Sequence, residues 1–357
     1  TVGAGVYSML SDAPGMEAGP VLVRPGKAVE SFMVSDAALI FGDPTVDAVV
    51  ETLGGLDPAY SYGMRALEAG KHFITANKAM VAAHGLELAA LAREKGAAFL
   101  FSAACGGGVP FLHTLALSAE TDRIEAVSGI LNGTTNYMLD AMQRRGLSYG
   151  DALREAQSLG YAESDPTADV SGLDALRKMQ LACAVAFGVL PQSGMLCEGM
   201  EHFTAADVED IQSRGLVCRL LARGSRAGES VSAYVEPVLF PRAAPESSVF
   251  TNNNMARYTG KRCGSIVLMG QGAGRFPTAS AVLRDLSAAQ QGARSMFPEN
   301  CHAAEADNRE AVHSYYIRTG GFAAVRLPLR SVLAQGEVVR AVTEPMSAEK
   351  MHALAQN

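Results

Sequence analysis

Residues 46 to 101 alternate short β-branched or apolar runs with helical patterns, and that rhythm restricts the fold more than any other feature. Residues 46–51 read as a strand, 58–69 as a helix closed by Gly70 and 72–75 as a second strand. Residues 79–95 then read as a helix closed by Gly96, and 98–101 as a third strand. Repeated strand–helix–strand units build a parallel, doubly wound α/β sheet. Ligands of such sheets bind in the crevice beyond the carboxyl ends of the strands. The segments to watch are therefore Leu53-Gly54-Gly55, Ala76-Asn77-Lys78 and Ala103-Ala104-Cys105-Gly106-Gly107-Gly108. Glycine there lets the backbone approach a flat or charged ligand with no Cβ in the way.

A chain of 357 residues is too long for one hydrophobic core, so two domains are expected. The texture changes after residue 128. A strand-like run at 127–131 leads into Asn132-Gly133-Thr134-Thr135-Asn136, and Ser148-Tyr149-Gly150-Asp151 opens a further helix with capping-box chemistry. Residues 234–269 are strand-rich, and Gly270-Gln271-Gly272-Ala273-Gly274 precedes a helix of small residues from Thr278. With 30 basic against 37 acidic residues and no basic run, nucleic acid is not an expected partner. The longest apolar stretch, residues 179–190, is interrupted by Gln180. It falls short of the roughly 20 residues of a membrane helix, so it reads as a buried core helix and no membrane partner is expected. The six cysteines form no CxxC pair, which fits reduced thiols in the cytoplasm, and no secretory leader is read.

The opening Thr1-Val2-Gly3-Ala4-Gly5 precedes an apolar helix. With a strand and two glycines upstream, Gly3 would be the third glycine of a G-x-G-x-x-G fingerprint, placing a pyrophosphate at a helix N-terminus. The expectation is thus a piece lacking its first strand. About 20 residues on, where an acidic residue usually binds the ribose of NAD, stands Arg24, with Lys27 nearby. Cations at that place favour the 2′-phosphate of NADP; the plain alternative is two solvated surface charges.

Residues 161–178 hold Tyr161, Glu163, Asp165, Asp169, Asp174 and Lys178, and run straight into the apolar helix. Asp174 and Lys178 are four apart and share a helical face. On a surface such a pair contributes only about 0.2–0.5 kcal/mol. Leading into a core helix it would be partly desolvated, and with Glu163 and Asp169 it could bind a small amino acid. Lys78 follows a strand and would face the same crevice. Two ammonium groups among carboxylates suit carbonyl reduction, where a cation stabilises or protonates the developing alkoxide. A competing reading makes Cys105 a thiolate nucleophile of an aldehyde dehydrogenase, although no histidine stands in a partner motif and a small buried cysteine is the plainer account.

These stretches together resemble homoserine dehydrogenase over about residues 1 to 290. The resemblance is carried by Thr-Val-Gly-Ala-Gly-Val at 1–6, Val-Glu-Thr-Leu-Gly-Gly at 50–55, Thr-Ala-Asn-Lys-Ala at 75–79 and Gly-Gly-Gly-Val-Pro at 106–110. Gly-Ile-Leu-Asn-Gly-Thr-Thr-Asn-Tyr at 129–137, the run from Leu159 to Lys178, and Gly-Gln-Gly-Ala-Gly with Pro-Thr-Ala-Ser-Ala-Val at 277–282 complete it. It implies a Rossmann-type dinucleotide-binding domain over residues 1–128 and about 269–290, and an α+β substrate and dimerisation domain over 129–268. Residues 291–357 remain as a tail.

The activity implied is the NAD(P)-dependent interconversion of L-aspartate 4-semialdehyde and L-homoserine, on the route to threonine, methionine and isoleucine, by a homodimer or dimer of dimers. Lys178 and Lys78, with Asp174, are the implied proton-handling group, unranked. Glu163, Asp169, Thr134, Tyr161 and Gly133 would hold the amino-acid end. Thr1, Val2, Gly3, Arg24, Lys27, Gly54, Gly55, Thr75, Asn77, Lys78 and Gly272 would hold the cofactor. A family glutamate of a monovalent-cation site is Ser102 here, leaving the backbone carbonyls of Cys105 and Gly107 as sodium ligands. Ser314 to Arg318 resembles the start of a regulatory ACT domain, of which at most a remnant is expected. A catalytically impaired fragment, serving only dimerisation or regulation, is the remaining alternative.

Overall fold

The computed structural model describes residues 1–228, 230–320, 327–334 and 338–355. The strand–helix alternation forms a parallel sheet of Ala48–Glu51, His72–Thr75 and Phe99–Leu100, in that order. Between them run the helices Ala59–Glu68 and Lys78–Lys95. The first helix lies close to the sheet because Gly63 presents only hydrogen to the Phe73 ring. The second begins one residue earlier than the periodicity indicates. Asn77 caps it by accepting from Met80 N at 3.1 Å, which sets Lys78 at the first helical position on the carboxyl edge of the sheet.

A six-stranded sheet makes up the second layer. Its order is Gly264–Gln271, Asn253–Gly260, Ile124–Ile130, Leu216–Ala227, Ser230–Pro241 and Leu196–Cys197, antiparallel but for the last pair. The helix Leu173–Phe187 packs on one face of it, and Gly224 makes room for Met179 and Cys183. Every residue of that helix from Met179 to Phe187 is buried, in keeping with an apolar run broken only by Gln180, whose amide donates to Pro191 O at 2.6 Å. The chain enters this sheet at Ile124 and leaves it at Gln271, rather than at 129 and 268. Hydrogen bonding from Asn253–Gly260 recruits the residues on both flanks.

The helix expected from Thr278 starts at Arg275, since Pro277 in a first turn forfeits no helical hydrogen bond. It packs on the helix Val2–Leu10, with Gly5 against Arg275 and Ala279.

Residues beyond 290 are more than a tail. Phe99 N donates to Arg294 O at 2.7 Å and Ser295 bridges to Phe99 in parallel, so the chain returns to the first sheet. Phe297 then wedges against Phe99 and Phe101, and His302–Glu305 pairs with Val189–Ser193. Apolar Met296 and Phe297, both buried, drive this return. The region of the expected ACT remnant holds Tyr316–Gly320, Val338–Thr343 and Leu329–Ala334 as an antiparallel sheet, and the helix Ala348–Ala355. Residues 321–326, 335–337 and 356–357 of that expected tail lie outside the described residues. Arg318 ties the unit to Asp207, and His352 Nε2 meets Glu236 Oε1 at 2.8 Å. No helix among the described residues is long and apolar enough to cross a membrane.

Candidate active site

A cleft of about 720 Å³ opens where the carboxyl edge of the parallel sheet faces the second domain. Its first wall is made by the turns after two strands, and a buried carboxylate holds these together. Glu51 accepts from Leu53 N at 2.5 Å, from Gly54 N at 3.2 Å and from Thr75 Oγ1 at 2.5 Å. Asn77 Nδ2 donates to Gly55 O at 2.6 Å, pinning one turn to the other. Gly54 and Gly55 have φ of 78° and 75°, and open space lies where a Gly54 Cβ would point. The helix Val2–Leu10 presents its N-terminal Val2 to the same cleft.

The opposite wall comes from the acidic segment and the helix Gly133–Arg145. Asn132 caps that helix through Thr135 N and, with the same side chain, donates to Asp169 Oδ1 at 2.7 Å and Asp174 Oδ2 at 2.9 Å. Thr134 Oγ1 bonds Tyr161 O at 2.6 Å and Asp169 Oδ2 at 3.0 Å. Lys178 Nζ donates to Asp174 Oδ2 at 2.6 Å and to Leu131 O at 2.7 Å. Lys78 Nζ stands 3.1 Å from Asp174 Oδ1. The two lysines therefore converge on one carboxylate, each by its own oxygen.

Burial alone would push the Asp174 carboxyl up, but the Lys178 and Lys78 ammonium groups and the donated hydrogen bonds outweigh it and hold the carboxyl well below the usual carboxylate range. For Lys178, burial lowers the ammonium pKa; Asp174, by its charge and its hydrogen bond, with Asp169 adding to it, outweighs that and leaves it raised. Lys178 is thus a cation at neutral pH, 12% exposed in its side chain against 34% for Lys78.

Of the residues singled out in the sequence, Val2, Gly54, Asn77, Lys78, Gly107, Gly133, Thr134, Tyr161, Glu163, Asp169, Asp174, Lys178 and Gly272 line this cleft. Thr75 lies beneath it, bonded to Glu51, and Gly55 offers its carbonyl to Asn77. Gly3 packs on Thr52, and Thr1 precedes the first helix without capping it. Arg24 and Lys27 sit in an exposed turn, with Lys27 N donating to Arg24 O, and are not among the lining residues. The turn at Gly26, φ 77°, carries them into solvent.

Cys105 follows the plainer of its two readings: it is fully buried, and burial pushes its thiol up to about 12. A thiol so placed supplies no thiolate, and the nucleophile reading falls. Three residues escaped the sequence reading: Glu51, Asn132 and Asn254. The first two carried a signal, an acidic strand end beside Leu-Gly-Gly and an Asn at an N-cap position before Gly-Thr-Thr.

A parallel α/β sheet with glycine turns at its carboxyl edge, closed by a second sheet domain that brings an acid and ammonium cluster to the mouth, defines a two-domain dinucleotide-binding α/β protein. Family models for the NAD binding domain of homoserine dehydrogenase and for homoserine dehydrogenase match residues 24–102 and 110–287. The homoserine dehydrogenase of Corynebacterium glutamicum is 41% identical over 269 residues, 74% of this chain and 60% of that protein. That of Synechocystis is 37% identical over 310 residues, 80% of this chain and 70% of that protein. A crystal structure of a homoserine dehydrogenase from Thiobacillus denitrificans matches with a TM-score of 0.87 at 29% identity, covering 99% of this chain and 90% of that one. The chain belongs to the homoserine dehydrogenase family.

Proposed function

We propose that the chain interconverts L-aspartate 4-semialdehyde and L-homoserine with a nicotinamide dinucleotide. The observation that carries this is the shared Asp174 carboxylate. It holds two ammonium groups where the glycine-turn wall meets the acidic wall. The residues present fit a dinucleotide, because Gly54 leaves open space at the cleft and Val2 offers a helix N-terminus for an anion. When bound, the nicotinamide exchanges a hydride with the substrate carbon.

Glu163 and Asp169 draw the substrate ammonium, while Thr134, Tyr161 and the Gly133 backbone orient the amino-acid end. The aldehyde oxygen then lies toward Lys178 and Lys78. Lys178, held protonated by Asp174, stabilises negative charge on that oxygen and delivers a proton to it, and Lys78 adds a second cation. In the reverse direction Lys178 as the neutral amine, the form left after that delivery, receives the hydroxyl proton.

NADP is favoured over NAD because an archaeal homoserine dehydrogenase mutant in complex with NADPH is a structural neighbour, with a TM-score of 0.59 at 28% identity; Arg24 and Lys27, exposed after the strand Val21–Leu22 and outside the cleft lining, do not carry that preference. The Cys105 and Gly107 carbonyls accept no hydrogen bond among the described residues and could serve a sodium ion. The six-stranded sheet exposes Val267 and Met269, supporting a homodimer through that sheet.

The test is titration of the chain with NADPH, followed by the loss of nicotinamide absorbance on adding L-aspartate 4-semialdehyde. Binding without turnover would favour the impaired-fragment reading, and no binding would refute the dinucleotide site.

A further inference from the structure

Asn254 is 2% exposed and belongs to the wall of the cleft, yet neither the N–H nor the carbonyl of its side-chain amide has a hydrogen-bond partner. An unpaired amide in that position lowers the stability of the fold, so a group that pairs it is to be expected. Its surroundings say which. Asn254 lies opposite Gly270 in the antiparallel pair, and Gly272 comes so close to the amide that any Cβ at 272 would collide with it. Gly107 packs on Gly272 in turn, and Gly108 N donates to Gln271 O at 3.0 Å, joining the two glycine turns. On the other side, a Cβ on Gly133 would stand 2.8 Å from the Asn252 carbonyl, so the same stretch of chain touches the residues that face the substrate. Asn254 thus marks the seam between the turns assigned to the dinucleotide and the pocket assigned to the amino acid.

A hydride donor must lie at that seam. Asn254 offers one planar donor and one planar acceptor side by side, and a primary carboxamide presents the complementary pair. The substrate has no such group: its ammonium is assigned to Glu163 and Asp169, and the rest of its amino-acid end to Thr134, Tyr161 and the Gly133 backbone. We propose that the Asn254 amide recognises the carboxamide of the nicotinamide ring. The Gly272-Ala273-Gly274 turn, with Gly274 at φ 121°, moves off the amide as the ring seats. The assignment rests on the dinucleotide reading above and adds to it the group that fixes which face and orientation of the ring meets the substrate.

The test compares wild type with Asn254→Leu, near in size but apolar, and Asn254→Asp, which keeps the shape and loses the donor. Calorimetry measures the affinity of each for NADPH and for 2′-phosphoadenosine diphosphate ribose, the same dinucleotide without the nicotinamide ring. Both variants are expected to weaken NADPH about tenfold, the loss of roughly one paired hydrogen bond, and to leave the ring-free ligand within about twofold. The melting temperature of ligand-free Asn254→Leu is expected to equal or exceed that of wild type, because an unpaired buried amide has been removed.

Equal weakening of both ligands, or no change in either, overturns the assignment. So does a lower melting temperature of Asn254→Leu with unchanged NADPH affinity, which would mean the amide is satisfied within the fold. Should Asn254→Leu fail to fold, the Asn254→Asp pair of affinities decides alone. A wild-type chain that binds neither ligand overturns the dinucleotide reading itself, and this assignment with it.

Discussion

The Lys78 ammonium stands 3.1 Å from the Asp174 carboxylate, joining the first helical residue after a parallel strand to the opening turn of the other domain's core helix. Because Lys178 takes the second oxygen of the same carboxylate, the domains meet at a point where two cations share one anion. The two ammonium groups supply the positive charge needed opposite a developing alkoxide, with Asp174 holding both in place.

Lys178→Ala is expected to lower turnover of L-aspartate 4-semialdehyde by about 100-fold or more, the scale of a lost proton donor or electrostatic contact. Steady-state kinetics with NADPH check this. A loss under about threefold would assign Lys178 a structural role and leave the chemistry to Lys78.

Removing the shared anion acts through the lysines. Asp174 raises the Lys178 pKa, so Asp174→Asn lets that ammonium deprotonate at lower pH. The alkaline limb of the kcat profile is then expected to move toward neutrality, with turnover reduced across the range. A profile lowered uniformly and unmoved on the pH axis would contradict the coupling.

Cys105→Ser is expected to keep turnover within a few-fold of wild type, and native protein to resist alkylation at Cys105, because the thiol is buried and raised to about 12. Mass spectrometry after iodoacetamide treatment reads the second point. Rapid labelling with parallel loss of activity would return the thioester chemistry to consideration.

Asp285 supplies a pH signature in stability. Burial raises its carboxyl from 3.8 to about 6, against the opposing hydrogen bond that Ser102 N donates at 2.8 Å. The folded state therefore binds this proton more tightly than the unfolded chain, and the contribution to stability falls as pH rises from about 4 to about 6. Asp285→Asn, whose side-chain oxygen can still accept from Ser102, is expected to melt close to wild type at pH 4 and several degrees higher at pH 7. Melting curves at the two pH values decide it, and a variant less stable at pH 7 would show that the ionised form is the one the fold prefers.

Much of this was legible in the primary structure because the signals were local. The period of apolar residues located the strands and helices of 46–101 to within two residues, glycines marked the turns at the sheet edge, and Asp174 and Lys178 share a face by helical spacing alone. The signals that failed were non-local or spread over too few residues. The return of Arg294 and Ser295 to the parallel sheet rests on one bridge and buried Met296 and Phe297, a pattern too short to have a period.

What the sequence determined by itself was the alternation of elements, the glycine turns and the family-specific run from Leu159 to Lys178, all of which depend on neighbours within a few residues. Only the tertiary structure decided that Lys78 reaches Asp174, that Asn132 bridges two carboxylates, that Cys105 is closed off from solvent and that Asn254 is left with an unpaired amide. Burial, and the electrostatics that follow from it, are set by groups far apart in the chain, so they exist only once the two sheets have packed.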